Sequence, residues 1–348
     1  MARRILTSAL ALGPLVILLH YFADLGEEAE FVLASLALIP LAWLIGEATE
    51  HASHHTGSGI GGFLNATFGN APELIIALIA VHEGLTEVVR GSLTGSVVGN
   101  LLLVLGFSLA LGGRGDLDRP SSYTSLALVA LATVAFLIPS IPGWEGDPDR
   151  HSLAVVSLPV SIALLAVYVA VTWVSLRRHR ELHVSDEAAA MAGWSFRFSL
   201  LVLGAATVVT ALVAEILVGS LEVFADALGV SEFFVAAVIV AVVGNAAEHG
   251  GAVVIARRGN IKLAAEIALA SSAQVAVFLI PAVAIISWAI EPLSLAFRPV
   301  ELGVLTAATL LASILLRDGR STSTKGVVLI GAYLLAALAF LLVGDRNV

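Results

Sequence analysis

Gly69-Asn70-Ala71-Pro72-Glu73 stands in this chain twice: the second copy is Gly244-Asn245-Ala246-Ala247-Glu248, with His249 directly after it. Each copy sets a carboxamide and a carboxylate inside an apolar run long enough to cross a bilayer. A carboxylate at that depth costs roughly 2.5 kcal/mol or more, so a Glu retained there reads as a functional group. Two of them, each three residues after an Asn and four after a Gly, make a repeated site. The rest of the chain reads as the scaffold for this pair.

That scaffold is a membrane protein. Of the 348 residues, 58% are hydrophobic and only 13% charged, with a mean hydropathy of +0.97, a balance no soluble domain carries. Cysteine is absent, which removes disulfides and thiolate metal sites. The net charge of −9 argues against a nucleic-acid partner. Arg3 and Arg4 lead into an apolar run with no small-x-small cleavage site after it, so the run is read as a retained helix.

Hydropathy predicts an all-α polytopic protein of about eleven transmembrane helices, at roughly 5–23, 31–52, 61–82, 90–112, 123–140, 152–176, 196–219, 232–256, 262–290, 298–316 and 325–344. With the N-terminus in the cytoplasm and the C-terminus outside, the cytoplasmic side holds Arg3, Arg4, Arg114, Arg119, Arg177, Arg178, Arg180, Arg197, Arg257, Arg258, Lys262, Arg317, Arg320 and Lys325. Arg90, Arg150, Arg298 and Arg346 fall outside, where the connections are acidic: Asp24, Glu27, Glu28 and Glu30, then Glu145, Asp147 and Asp149, then Glu222, Asp226 and Glu232. This asymmetry is the positive-inside pattern.

A polar connection, 177–195, divides the chain. Setting aside an extra N-terminal helix (1–28) leaves a first repeat, 29–176, and a second, 196–348, each of five spans. An odd number of spans per repeat inverts the second relative to the first, as in many secondary transporters. In that arrangement Glu73 and Glu248 are expected near the middle of their spans. Weaker echoes support the duplication. Glu50 closes the second span and Glu215 lies near the end of the seventh; Ser96 and Asn100 sit in the fourth, Ser271 and Gln274 in the ninth.

The intramembrane acids are read as Glu47, Glu50, Glu73, Glu215, Glu248 and Glu266, with no Lys or Arg at comparable depth. Their counter-charge is then a bound cation or protons. Oxygen ligands without Cys suit a hard ion such as Ca²⁺, which takes six to eight oxygens. Glu73 and Glu248 bring two charges, and Asn70 and Asn245, at i−3, bring neutral oxygens to the same helix faces. Pro72 cannot donate to the Phe68 carbonyl, and Gly69, like its counterpart Gly244, permits a local break that exposes backbone oxygen. When the cation leaves, one or both carboxylates take up protons, so cation and protons exclude each other.

The segment Gly61-Gly62-Phe63-Leu64-Asn65-Ala66-Thr67-Phe68-Gly69-Asn70-Ala71-Pro72-Glu73-Leu74, paired with Gly244-Asn245-Ala246-Ala247-Glu248-His249, resembles the two signature repeats of the cation/proton exchanger (CAX) family, Ca²⁺/H⁺ antiporters of the cation/calcium exchanger superfamily. The resemblance runs from the second span onward. It implies that Glu73 and Glu248 bind calcium, that His249 lies close by, and that Glu50 and Glu215 are vestibule carboxylates. Ser96, Asn100, Ser271 and Gln274 match polar positions of the flanking helices. The linker departs from relatives with a long acidic helix, having only Glu181, Asp186 and Glu187.

The expected function is therefore export of cytosolic calcium against entering protons across the cytoplasmic membrane, by alternating access and without a cofactor or enzymatic step. The expected partners are Ca²⁺, protons and the lipid bilayer, and a homo-oligomer is compatible with them. The alternatives are a sodium-coupled calcium exchanger or a Mn²⁺-preferring cation/proton exchanger. A hydrolytic zinc enzyme lacks its His-Glu-x-x-His, and tight midplane binding disfavours a channel. His51, His54 and His55 are expected to be solvated loop residues, and the Gly57–Gly62 stretch a hinge into the third span.

Overall fold

The computed structural model describes residues 2–23, 25–180 and 193–345, of which the side chains of 2–4, 57–60, 62–63, 65–66, 175–180 and 247 are left aside. Most of the linker, including Glu181, Asp186 and Glu187, therefore lies outside the described residues, as do Asp24 and Arg346 and the side chains of Arg3, Arg4, Arg177, Arg178 and Arg180. Apart from a two-residue ribbon pairing β1 (Gly115–Asp116) with β2 (Arg320–Ser321), every described element is helical. Among the described residues, eight helices are long and apolar enough to cross a membrane, or nine if the bent pair Leu221–Leu228 and Glu232–Gly244 is one span. This is a multi-pass membrane protein. The segments expected as spans at 61–82 and 298–316 contribute only the shorter apolar helices Ala71–His82 and Pro299–Leu315.

The chain forms two compact units, each drawing on both halves of the sequence. The first comprises residues 1–79, 166–224 and 243–247. It begins with α1 (Ala2–Ala9) and α2 (Leu12–Phe22) and is dominated by α3 (Glu27–Phe68). At 42 residues, α3 extends for about 63 Å at 1.5 Å per residue, roughly twice a hydrocarbon core. Its backbone runs without a break through the Gly57–Gly62 stretch, so glycine content there marks no hinge. Three carboxylates in its first turn, Glu27, Glu28 and Glu30, complement the helix dipole. The helix ends where Gly69 and Asn70 form a turn. The next helix, α4 (Ala71–His82), starts with Pro72 in its first turn, where a missing N–H costs nothing.

The second unit comprises residues 80–165, 225–242 and 248–348. In it α5 (Thr86–Val98) continues through a π-helical segment, Gly99–Val104, into α6 (Leu105–Gly112). Long helices follow as α7 (Arg119–Gly143) and α8 (His151–Arg180), the latter passing into the first unit at residue 166. The first unit then takes α9 (Phe196–Gly219), whose Leu203 and Ala206 pack on Ile45 and Ala48 of α3 and on Ala71. Beyond α10 (Leu221–Leu228) come α11 (Glu232–Phe234), a second π segment at Val235–Val240, and α12 (Ala241–Gly244). After a turn at Asn245, α13 (Ala246–Arg257) begins. The overlong ninth span resolves into α14 (Ile261–Gln274), a third π segment (Val275–Leu279) and α15 (Ile280–Ile286), with Pro281 tolerated in the first turn of the last. The chain closes with α16 (Pro299–Leu315) and α17 (Ser323–Val343).

Helices in lipid associate through small residues that let backbones approach. On α5, Gly91 and Gly95 face the backbone of 233–237: a Cβ at Gly91 would stand 2.8 Å from the Phe233 carbonyl, and one at Gly95 would overlap the Ala237 carbonyl outright. Because the obstacle is backbone, it cannot rotate aside. Gly95→Ala is therefore expected to cost at least about 1–3 kcal/mol of packing, visible as a lowered thermal midpoint in detergent. A midpoint unchanged within a degree would rule out this contact.

Candidate functional site

The residues singled out from the sequence divide between the two units. In the first unit the structure brings the two motif copies into contact. Gly244 lies against Glu73, and a Cβ at Gly244 would stand 3.2 Å from Glu73 Cγ. A side chain at Gly244 would crowd the Glu73 side chain, which would have to give by a few tenths of an ångström, so the repeated Gly has a physical reason. Asn70, Glu73 and Asn245 are all buried. Phe68 packs on the cluster formed by Ile45, Ala48, Ala71, Leu203 and Ala206, anchoring the end of α3 beside the break.

Glu73 and Glu248, expected near the middle of their spans, both stand beside a helix break. Each occupies the first turn of a short helix, α4 or α13, immediately after an interruption. Pro72 lacks the N–H to continue α3, and the Asn70 carbonyl accepts from Leu74 N (3.0 Å) to start α4. The last carbonyls of α3 and α12 thus arrive at the two breaks, and helix C-termini carry carbonyls that lack intrahelical donors. Phe68, Gly69 and Gly244 stand at these ends.

In the second unit four side chains form a directed hydrogen-bond chain. Ser271 Oγ donates to Glu248 Oε2 at 2.7 Å. Asn100 Nδ2 donates to Ser271 Oγ at 3.1 Å. His249 Nε2 lies 3.0 Å from Asn100 Oδ1. A carboxamide oxygen only accepts, so this contact assigns the hydrogen to His249 Nε2. Although His249 and Glu248 do not share a helix face, His249 reaches the Glu248 carboxylate through Asn100 and Ser271. Asn100 is the second residue of the first π segment, and Gln274 immediately precedes the third. A π turn adds a residue to the helix and re-aims the side chains beyond it, so the two flanking helices share one device. Ser96 is also buried, and Gln274 half-buried.

Glu50 and Glu215, by contrast, are exposed, and Glu50 has His54 4.0 Å away on the next turn. The histidine cluster is not in a loop: His51, His54 and His55 all belong to α3. His51 stacks on Trp194, with ring centroids 4.7 Å apart, and His55 Nε2 meets the Trp194 carbonyl at 2.9 Å. The end of the linker is thus fastened to α3 by two of the three.

Sequence reasoning missed a buried ionic network in the second unit, having placed Arg90 and Arg298 at the outer surface. Arg90 is 1% exposed. It pairs with both oxygens of Asp149 (2.8 and 3.0 Å) and with Glu87 Oε1 (3.0 Å). Arg298 lies 3.2 Å from Glu87 and 3.4 Å from Glu301, and its guanidinium sits 3.8 Å above the Phe233 ring. Glu301 is fully buried, accepting also from Thr94 and from the Arg298 backbone N–H. It was missed because it stands three residues beyond Arg298 at a helix start, where hydropathy does not register depth. These arginines are engaged by Glu87, Asp149 and Glu301, not by the motif glutamates.

Similar sequences and a similar fold occur in known proteins. The sequence matches the family described as Sodium/calcium exchanger protein over residues 29–177 and 198–342. It is 39% identical over 324 residues to the Ca²⁺/H⁺ antiporter ChaA of Bacillus subtilis, covering 90% of this chain and 92% of that one. It is 36% identical over 342 residues to the Ca²⁺/H⁺ antiporter of Synechocystis sp., covering 90% and 91%. The solved structure of native YfkE superposes with a TM-score of 0.83 at 35% identity, over 97% of this chain and 99% of that one. The chain therefore belongs to the sodium/calcium exchanger protein family, on its cation/proton exchanger branch.

Proposed function

We propose that this protein is a Ca²⁺/H⁺ antiporter that exports cytosolic calcium against entering protons, with cation and protons competing for Glu73 and Glu248. The observation that carries the reading is the duplicated Gly-Asn-x-x-Glu motif, seated at two helix breaks, in a chain whose relatives bear that activity in their names. Carboxylates, carboxamides and helix-terminal carbonyls are the oxygen set a hard divalent ion takes. Asn70, Asn245 and the backbone at Phe68, Gly69 and Gly244 complete the ligand set in this reading. Glu50, Glu215, Ser96 and Gln274 lie along the cation and proton path. In this reading no cofactor or covalent chemistry enters, and the cargo ions are Ca²⁺ and protons.

The membrane arrangement belongs to the same proposal. Eleven crossings, counting the interrupted helices around each motif and α16, place two inverted five-span repeats after one extra helix, within the cytoplasmic membrane, N-terminus inside and C-terminus outside. Exchange then proceeds by alternating access, each ion biasing the equilibrium through its differential affinity for the two states.

The direct test uses proteoliposomes loaded with a pH-sensitive dye, in sodium-free buffer under an imposed proton gradient. Added calcium is expected to drive proton movement. Flux that needs sodium, or that manganese alone elicits, would move the chain to another branch of the superfamily.

Within this reading, Ser271 and Asn100 orient the Glu248 carboxylate. Removing groups that orient a metal ligand typically costs 10–100-fold in affinity. Ser271→Ala and Asn100→Ala are expected to raise the calcium concentration for half-maximal flux by about that factor, with maximal flux largely kept. Unaltered calcium dependence in both would separate the hydrogen-bond chain from ion binding.

A further inference from the structure

A strongly basic surface is built at one end of the second unit from three connections that the transport site does not use. Arg114 lies in the connection after α6 and Arg119 starts α7; Arg257 ends α13 and Arg258 follows it; and the turn between α16 and α17 carries Arg317 and Arg320. All six are exposed. The connections are stitched together. Leu117 N donates to the Gly319 carbonyl at 2.8 Å, and β1 pairs with β2 so that Asp116 stands opposite Arg320. Ser321 Oγ donates to the Gly113 carbonyl at 2.6 Å. A Cβ at Gly112 would stand 2.8 Å from Ile261 and 3.1 Å from Ala256, so the third connection is in contact as well.

The charge does not cancel within this surface. Lys262 is held by Asp118 at 3.0 Å and Lys325 by Asp318 at 2.6 Å. The Lys325 ammonium keeps the Asp318 carboxyl below the usual carboxylate range, and the Ser121 N–H followed by Lys262 does the same for Asp118. The six arginines make no side-chain hydrogen bond or ion pair among the described residues. Eight basic residues against Asp116, Asp118, Asp318 and Glu266, which faces Lys262, leave a surplus of four positive charges, on a chain whose net charge is −9.

The neighbourhood of the charge identifies the ligand. The same helix ends expose Leu111 (51%), Val254 (44%), Leu263 (41%), Ile314 (62%) and Val327 (63%). These apolar side chains belong to helices that turn back at this level, so cations border an acyl-chain surface. A free phosphate or nucleotide has no use for that second surface; an anionic phospholipid uses both. From this we propose that the three connections form a binding surface for the headgroups of anionic phospholipids in the bilayer the protein spans. Juxtamembrane Lys and Arg are attracted to such lipids with an energy that adds per residue and decays within a Debye length.

The test needs neither transport nor a known orientation, so its outcome is independent of the antiport reading. The purified full-length protein in a non-ionic detergent is titrated with phosphatidylglycerol, phosphatidylcholine or inorganic phosphate. Lipid retention is followed by native mass spectrometry and the thermal midpoint by fluorescence. Phosphatidylglycerol is expected to be retained and to raise the midpoint; phosphatidylcholine and phosphate are not. The variant Arg257→Gln/Arg258→Gln/Arg317→Gln removes three exposed, unbonded charges, and its phosphatidylglycerol affinity is expected to fall roughly a hundredfold. An Asp226→Asn control, on a connection outside this surface, should leave binding unchanged. Equal binding of phosphatidylcholine, an equal shift with phosphate, or full retention by the triple variant would overturn the proposal.

Discussion

Glu248→Gln and Glu73→Gln are each expected to reduce calcium-driven proton flux to the level of protein-free vesicles. Glutamine preserves length and one acceptor oxygen but deletes the charge, so a divalent cation loses half of its formal compensation in a medium that cannot supply the remainder. In the proposed mechanism the same substitution also removes the group that takes up a proton, so both limbs of the exchange are expected to fail together. Groups one bond removed cost about 10–100-fold; a charged ligand must cost more, which puts either variant beyond detection. The surroundings make Glu248→Gln a clean test. Ser271 donates to Oε2 at 2.7 Å, and a glutamine carbonyl oxygen can accept that bond, so the packing survives the change. Glu50→Gln and Glu215→Gln provide the contrast, because neither carboxylate belongs to the duplicated motif and both are exposed on the protein surface. Their effect is expected to be far smaller. If either motif variant retained more than about a tenth of the wild-type flux, the assignment of that glutamate would be lost.

Arg90→Met is expected to be the most destabilising single change outside the motif. The guanidinium is 1% exposed and answers the carboxylates of Asp149 and Glu87, while Glu87 also faces Arg298 at 3.2 Å. Removing one partner of a buried ion pair leaves an uncompensated charge and costs about 3–5 kcal/mol. Methionine fills most of the volume, so the loss is electrostatic, with little contribution from a cavity. The variant should show a thermal midpoint many degrees lower and reduced yield of monodisperse protein, with or without calcium. Arg90→Lys keeps the charge but not the forked geometry that meets both Asp149 oxygens, and should fall between the two. A wild-type midpoint for Arg90→Met would mean that Glu87, Asp149 and Glu301 are satisfied without it.

Depth and partner are what hydropathy reads least well. Arg90 and Arg298 sit near span ends, where sequence averaging assigns them to water, yet both fold inward onto acids contributed by distant segments. His51, His54 and His55 precede a glycine-rich run, and composition alone suggests a loop there; the backbone instead continues as α3, and Trp194 covers His51 from across the linker. In both cases the deciding contact is between residues far apart in the chain.

The amino-acid sequence was sufficient for the class of protein and for the motif, because both depend on local chemistry. An apolar fraction of 58% admits only a membrane protein, Pro72 and the paired glycines announce the helix interruptions, and a duplicated Glu at bilayer depth announces a site. Tertiary structure alone decided the partners. It set Gly244 against Glu73, ran the chain from His249 through Asn100 and Ser271 to Glu248, and paired Arg90 with Asp149. It also set each motif glutamate in the first turn of a short helix. The physical reason is one of range: helix interruption and bilayer cost act within a few residues, whereas a hydrogen bond or ion pair is chosen by packing that no window of sequence contains.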